Sequence, residues 1–338
     1  MLQEKRQAME DVGEPLLSIS VLVPTWRRPE DLRRCLEALA RQIRPADEVL
    51  VIVRDVDVET RGLLDDLRSG PDGIRIVDAS GPGVVSALNH GLGMASGDIV
   101  AFLDDDAAPR QDWLQRIAAH YQSDSTLGGV GGRDVLHAGD EPENRSATVV
   151  GKIQWFGRMI GNHHLGVGAA RKVDHLKGVN MSFRRKAIGE IRFDSRLKGS
   201  GAQVGNETAF GLAIGRAGWP LVYDPEILVD HYHGIRHDYD KRTLFDDQAC
   251  FDAAYNDTVI LLDHLPLFRR IAFVLWAFAI GLRVLPGPGQ WVRLLIRGEP
   301  HANRRLWATL RGRAAGVRDW LRDWPEPDEP GPAGSAEK

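Results

Sequence analysis

Cysteine is nearly absent from these 338 residues: Cys35 and Cys250 are the only two. Both fall in helix-like patterns and read as small core residues, which excludes a disulfide scaffold and suits a reducing compartment. No apolar run reaches the ~20 residues that a membrane-spanning helix needs. The stretch IAFVLWAFAIGL, residues 271–282, is uncharged but ends at Arg283. The N-terminal MLQEKRQAMEDVGEP is charged and has no apolar centre, so no signal peptide is expected and the location reads as cytoplasmic. There is no repeat of fixed period. There is also no GxxxxGK[ST], which argues against a P-loop. Lysine is missing from residues 269–322, where eleven arginines face only Glu299 and Asp319, a local charge of +9. The whole chain carries −4, so the remainder carries −13.

The first hundred residues alternate between two periods. Ser18–Val23 and Glu48–Val53 are short β-branched runs that read as buried strands. Pro29-Glu30-Asp31 opens a helix with proline in its first turn and acids at the positive end of the dipole. Leu32, Cys35, Leu36 and Leu39 follow the spacing of one helical face. A helix over 58–68 leads to a strand at Ile74–Val77, and one over 84–95 leads to a strand at Asp98–Leu103. Four strand–helix units in a row predict a parallel sheet with helices on both faces. In such sheets ligands bind beyond the carboxyl ends of the strands. Pro24-Thr25-Trp26-Arg27-Arg28, Arg54-Asp55 and Asp104-Asp105-Asp106 all stand at those ends.

Three adjacent carboxylates repel one another, and burying one unpaired costs several kcal/mol, roughly. They persist either in open solvent, as a polar turn, or beside a cation. Convergence with two other strand ends favours the cation, and hard oxygen ligands in a strand–helix loop suit Mg²⁺ or Mn²⁺. Gly81-Pro82-Gly83-Val84-Val85-Ser86 partly imitates a dinucleotide fingerprint, but Ser86 stands where the third glycine belongs and the loop is the third of the sheet. Its glycines read better as a loop that lets backbone approach a diphosphate.

In order along the chain come strand–Pro-Thr-Trp-Arg-Arg-Pro, strand–Arg-Asp, the glycine loop with Asn89 and Gly91, and Phe102-Leu103-Asp104-Asp105-Asp106. Then follow Gly178-Val179-Asn180-Met181-Ser182-Phe183-Arg184, Gly205-Asn206-Glu207-Thr208, and Val229-Asp230-His231-Tyr232-His233. This ordered set, over about residues 18–234, resembles family 2 glycosyltransferases of the GT-A fold. The resemblance implies an α/β, Rossmann-like, mostly parallel sheet flanked by helices, and a nucleotide-diphosphate sugar as donor. It implies that Pro24, Thr25, Arg27, Asp55, Gly83, Asn89, Asp104, Asp105 and Asn180 border the nucleotide or substrate. Asp106 is favoured as metal ligand, although a run of three permits either alternation. Two positions depart from the family: Asn206-Glu207 replaces its usual Glu-Asp, and Leu88 replaces an arginine before the loop asparagine.

Sugar transfer needs a carboxylate to take the acceptor's proton and a cation to neutralise the leaving diphosphate. Glu207 at a helix start is the candidate base; its plainer role is a dipole partner. His231-x-His233 alternates on one side of a strand, with His231 preferred as a second metal ligand. Trp155 and His163-His164 read as acceptor-site residues or as core and loop. The expected organisation is a tail over 1–17, a catalytic domain over 18–240 divided at 110, a helical C-terminal extension over 241–324, and a disordered tail over 325–338. Arginine mixed with Trp291, Trp307 and Trp320 beside 271–282 reads as a membrane-surface anchor or as a helical cap on the sheet. No nucleic-acid module accompanies that charge, so nucleic acid is not expected as a partner. The acceptor would then be a glycan or a lipid-linked molecule. Nucleotidyl transfer and a silent membrane-docked module are the rival readings.

Overall fold

The computed structural model describes residues 17–68, 74–79, 81–137, 145–241 and 244–322. Both expected tails, apart from Leu17, lie outside or at the margin of these residues. The first half follows the predicted alternation. Strand β1 (Ile19–Pro24) is followed by α1 (Pro29–Ala40), β2 (Glu48–Arg54), α2 (Val58–Arg68), β3 (Ile74–Ala79), α3 (Val84–Met94) and β4 (Ile99–Phe102). The four strands pair in parallel in the order β3-β2-β1-β4. Successive strand residues point to opposite faces. Val21 and Val23 therefore join Leu32, Cys35 and Leu36 of α1 in one core, while Leu22, Ile52 and Phe102 join Val85, Leu88 and Leu92 of α3 in another.

The second half is mixed rather than mostly parallel. It comprises β5 (Ala107–Pro109), α4 (Trp113–Ser123), β6 (Gly129–Leu136), the small hairpin β7 (Lys152–Ile153) and β8 (Met159–Ile160), and β9 (Arg171–Val173). Then come β10 (Met181–Arg184), α5 (Arg185–Ile188), α6 (Asn206–Arg216) and β11 (Leu221–His231). The sheet continues β4-β10-β6-β11-β5, with β9 on β11. β10 runs antiparallel to both neighbours, β6 and β11 are parallel, and β5 and β9 are antiparallel to β11. β5 follows the Asp triplet directly, with no helix between it and β4, and joins the end of the sheet beside β11.

Beyond the sheet lie α7 (Asp247–His264), α8 (Leu267–Ala279), α9 (Pro288–Ile296) and α10 (Ala302–Arg322). Helices α7 and α10 pack along each other, and Arg313 at their contact is wholly buried, 2.9 Å from Asp257. Arg304 pairs with Asp247, Arg318 with Asp319 and Arg283 with Glu299. Much of the arginine charge expected to meet lipid is therefore engaged within the protein. Cys35 and Cys250 are both buried and free. Among the described residues no helix is long and apolar enough to cross a membrane.

Candidate active site

The carboxyl ends of β1 to β4 open on two adjoining cavities, which meet at Val84 and Ala202. The first, about 360 Å³, is lined by Pro24, Thr25, Trp26 and Arg27 after β1, Arg54 at the end of β2, and Gly81 and Gly83 after β3. Arg27 and Arg54 lie 4.7 and 4.5 Å from the Trp26 ring centroid, a cation–aromatic stack that stiffens this wall. Arg27 has φ +54°, and its N–H donates to the buried Asp57 at 2.6 Å. Asp55 is exposed and accepts the N–H of its neighbour Val56, so it does not line the cavity.

Gly83 has φ +90°, a conformation that favours glycine. The helix start it introduces is already capped from the other half of the chain. Val84 N–H donates to Gly201 O at 2.9 Å and Val85 N–H to Gln203 Oε1 at 3.1 Å. The amides expected to cradle a diphosphate are thus engaged in this conformation, because the segment 199–205 folds over them.

The second cavity, about 310 Å³, brings together Asp104, Lys177, Glu207, His231, His233 and Arg236. Asp104, Asp106 and His231 offer ligand atoms that all lie within 4.8 Å of one another. Two hard carboxylates and an imidazole are a donor set that fits Mg²⁺ or Mn²⁺. The sequence named Asp106 and His231; the structure adds Asp104.

Counter-charge resolves the repulsion within the triplet. Arg28 stands 2.9 Å from Asp105 and 3.0 Å from Asp106, both buried. Gly234 N–H donates to Asp106 at 2.8 Å. His231 lies between Asp106 (3.3 Å) and Asp134 (3.4 Å), and Lys177 pairs with Asp134 from behind. Burial pushes Asp105 up to about 7 against the pull of Arg28. Burial works against the charge on Asp106 too, but His231, Arg28 and the Gly234 N–H hold it well below the usual carboxylate range. Burial also opposes the imidazolium of His231, yet Asp106 and Asp134 hold it up at about 9.

Glu207 sits in the first turn of α6. Burial raises its carboxyl above the ordinary glutamate value, and Asp104 adds to the rise, while Lys177 and Arg236 draw it back. β11 ends at His231, and His233 follows at φ +26°, so the two rings meet edge to face at 4.6 Å instead of repeating along a strand.

Two expected substrate contacts, Asn89 and Asn180, have side-chain amides engaged within the fold and line neither cavity. Asn89 is spent on the backbone of Phe193, donating to its carbonyl and accepting its N–H, each at 2.8 Å. Asn180 accepts Trp113 Nε1–H at 2.9 Å and donates to Ile227 O at 2.9 Å, tying α4 to β11. Both amides are satisfied away from the cavities, as the buried Asn180 must be. Lys177 and Arg236, paired with Asp134 and Asp240, line the same cavity as Leu88, where the family has an arginine. Lys177 directly precedes the Gly178 motif, and that adjacency was its only signal in the sequence.

The sequence model of Glycosyl transferase family 2 matches residues 20–192. "Glycosyltransferase AglE" of Haloferax volcanii is 32% identical over 116 residues, 33% of this chain and 36% of that protein. "Glucosyl-dolichyl phosphate glucuronosyltransferase" of the same organism is 24% identical over 222 residues, 64% of this chain and 69% of that protein. The chain thus spans little more than a third of AglE's length. Among solved structures, the mannosyltransferase PcManGT from Pyrobaculum calidifontis in complex with GDP-Man and Mn²⁺ superposes with a TM-score of 0.53 at 18% identity, covering 96% of this chain and 95% of that one.

Proposed function

Since this chain belongs to glycosyl transferase family 2 and is a glycosyltransferase of the GT-A fold, we propose that it moves a sugar, with inversion, from a nucleotide-diphosphate donor to an acceptor hydroxyl. The observation that carries this reading is one cavity lined by Asp104, His231 and the desolvated carboxylate of Glu207, with Asp106 buried within ligand distance of the first two. Family membership sets aside nucleotidyl transfer and a silent binding module.

The first cavity takes the nucleoside, with Pro24, Thr25, Arg27 and Gly83 on its walls and the Trp26 stack beside them. Asp104, Asp106 and His231 would hold Mg²⁺ or Mn²⁺, which would supply Lewis-acid neutralisation of the diphosphate charge. Lys177 and Arg236 add fixed positive charge in the same space. Glu207 takes the proton of the acceptor hydroxyl. Its raised affinity for a proton suits that task, because a base works best when its pKa approaches the working pH. Direct attack opposite the leaving group inverts the anomeric centre.

PcManGT was solved in complex with GDP-Man, which supports a nucleotide sugar as the substrate class. The name of the glucuronosyltransferase relative supports a lipid-linked acceptor. Thermal melting of the protein with UDP- and GDP-sugars, each with and without Mn²⁺, tests the donor reading. A ligand at a hundred times its Kd adds about 2.7 kcal/mol to the native state. Stabilisation that requires both sugar nucleotide and metal is expected. A panel that leaves the melting temperature unmoved overturns the donor assignment, and retained anomeric configuration by NMR overturns inversion.

A further inference from the structure

Nine large apolar side chains stand exposed within thirty residues: Leu267, Phe268, Ile271, Leu275, Ile280, Val284, Val292, Leu295 and Ile296. Leu267, Ile271 and Leu275 recur every fourth residue, with Phe268 beside them, and so form one face of α8. The opposite face, Phe273 and Ala277, is buried with Leu261, Leu262 and Leu265. The outward face is therefore additional to the core of α8. Trp155, 65% exposed, stands at the tip of the β7–β8 hairpin beside the same helix. Arg269 donates to the carbonyls of Gln154 and Trp155 at 2.9 and 2.8 Å, and Gly157 lies so close to Phe273 that a Cβ there would come within 2.6 Å of the ring.

Charge selects the occupant. Residues 264–298 contain five arginines and no acid or lysine. Arg293 and Arg297 are exposed and form no ion pair among the described residues. A second copy docking through this face would bring like charges together, whereas an anionic bilayer is complementary to it. We infer that α8, the turn after it and α9 form a membrane-docking face that lays its apolar side chains in the headgroup boundary of an anionic bilayer, with Trp155 at the interface. In α10, Arg304 pairs with Asp247, Arg318 pairs with Asp319 and Arg313 is buried against α7, so the inference is drawn from α8 and α9 alone. The inference serves the lipid-linked acceptor reading, but it is tested without substrate, so either can fail alone.

The experiment is flotation of the full chain with phosphatidylcholine vesicles, with and without phosphatidylglycerol. Binding should be strong only with the anionic lipid. Arg293→Glu with Arg297→Glu should lower the partition coefficient roughly fivefold or more per arginine, following the loss of about one headgroup attraction each. Phe268→Ser with Leu275→Ser, both at exposed positions, should lower it at least tenfold while leaving the melting temperature unchanged. No flotation of the parent, or equal flotation of parent and variants, overturns the inference. So does a concentration-dependent dimer in sedimentation velocity that the serine pair abolishes, because the face would then belong to a second copy.

Discussion

Replacing Glu207 with glutamine separates catalysis from folding, because the two should move in opposite directions. The amide keeps the shape of the side chain and removes its basicity. General-base catalysis contributes about 10²–10⁴-fold, so kcat should fall by that factor, or about 2.7–5.5 kcal/mol of barrier. Donor affinity should hold, since the metal-ligand set stays whole. The fold should lose nothing. Burial and Asp104 raise the Glu207 pKa above its unfolded value, so the native state binds that proton more tightly than the unfolded state. Stability from this group is then fully present at low pH and declines as pH rises through the raised value, by about 1.4 kcal/mol for each unit of elevation. At neutral pH the glutamine variant should melt at the same temperature as the parent or higher. In the parent, the acid limb of the kcat profile should lie above the ordinary glutamate range, and the variant should lose that limb. The assay is release of nucleotide diphosphate against pH, paired with calorimetry. Turnover within tenfold of the parent would show that another group takes the proton; a large fall in melting temperature would show that Glu207 is structural.

Asp106→Asn should abolish stabilisation by Mn²⁺ with donor, because it removes a ligand charge while keeping the side chain's size; unchanged metal-dependent donor binding by calorimetry would remove Asp106 from the ligand set. Arg313→Met alone should destabilise by about 3–5 kcal/mol, since it strands the buried Asp257, and adding Asp257→Leu should restore most of the loss. Urea unfolding checks this cycle, and additive losses would refute the buried pair.

Backbone period is a local property, so the first four strands and their helices were legible to within a residue or two: 58–68 is the second helix as read. The Asp triplet and Glu207 were legible because their chemistry stands out against apolar neighbours. What could not be read is which polar group meets which. Arg28 and Asp105 are far apart in sequence, and nothing near Asn180 announces Trp113 or Ile227. The mixed second half of the sheet was hidden for a related reason, since a three-residue strand such as β5 carries almost no period. In the C-terminal extension the count of arginines was plain, but only the packing of α10 on α7 tells paired charges from free ones.

The pairing of β5 has a bearing on how the chain is made. Its three residues join the sheet only through β11, by Val229, Asp230 and His231. A chain emerging from the ribosome therefore carries Asp104, Asp105 and Asp106 for more than a hundred residues before that partner exists. During that interval water can screen the three charges. The strand that finally draws the loop inward is the one that carries His231. Desolvation of the carboxylates then coincides with the arrival of His231, which joins the earlier-made Arg28 as counter-charge, so no stage of synthesis need bury them unaccompanied.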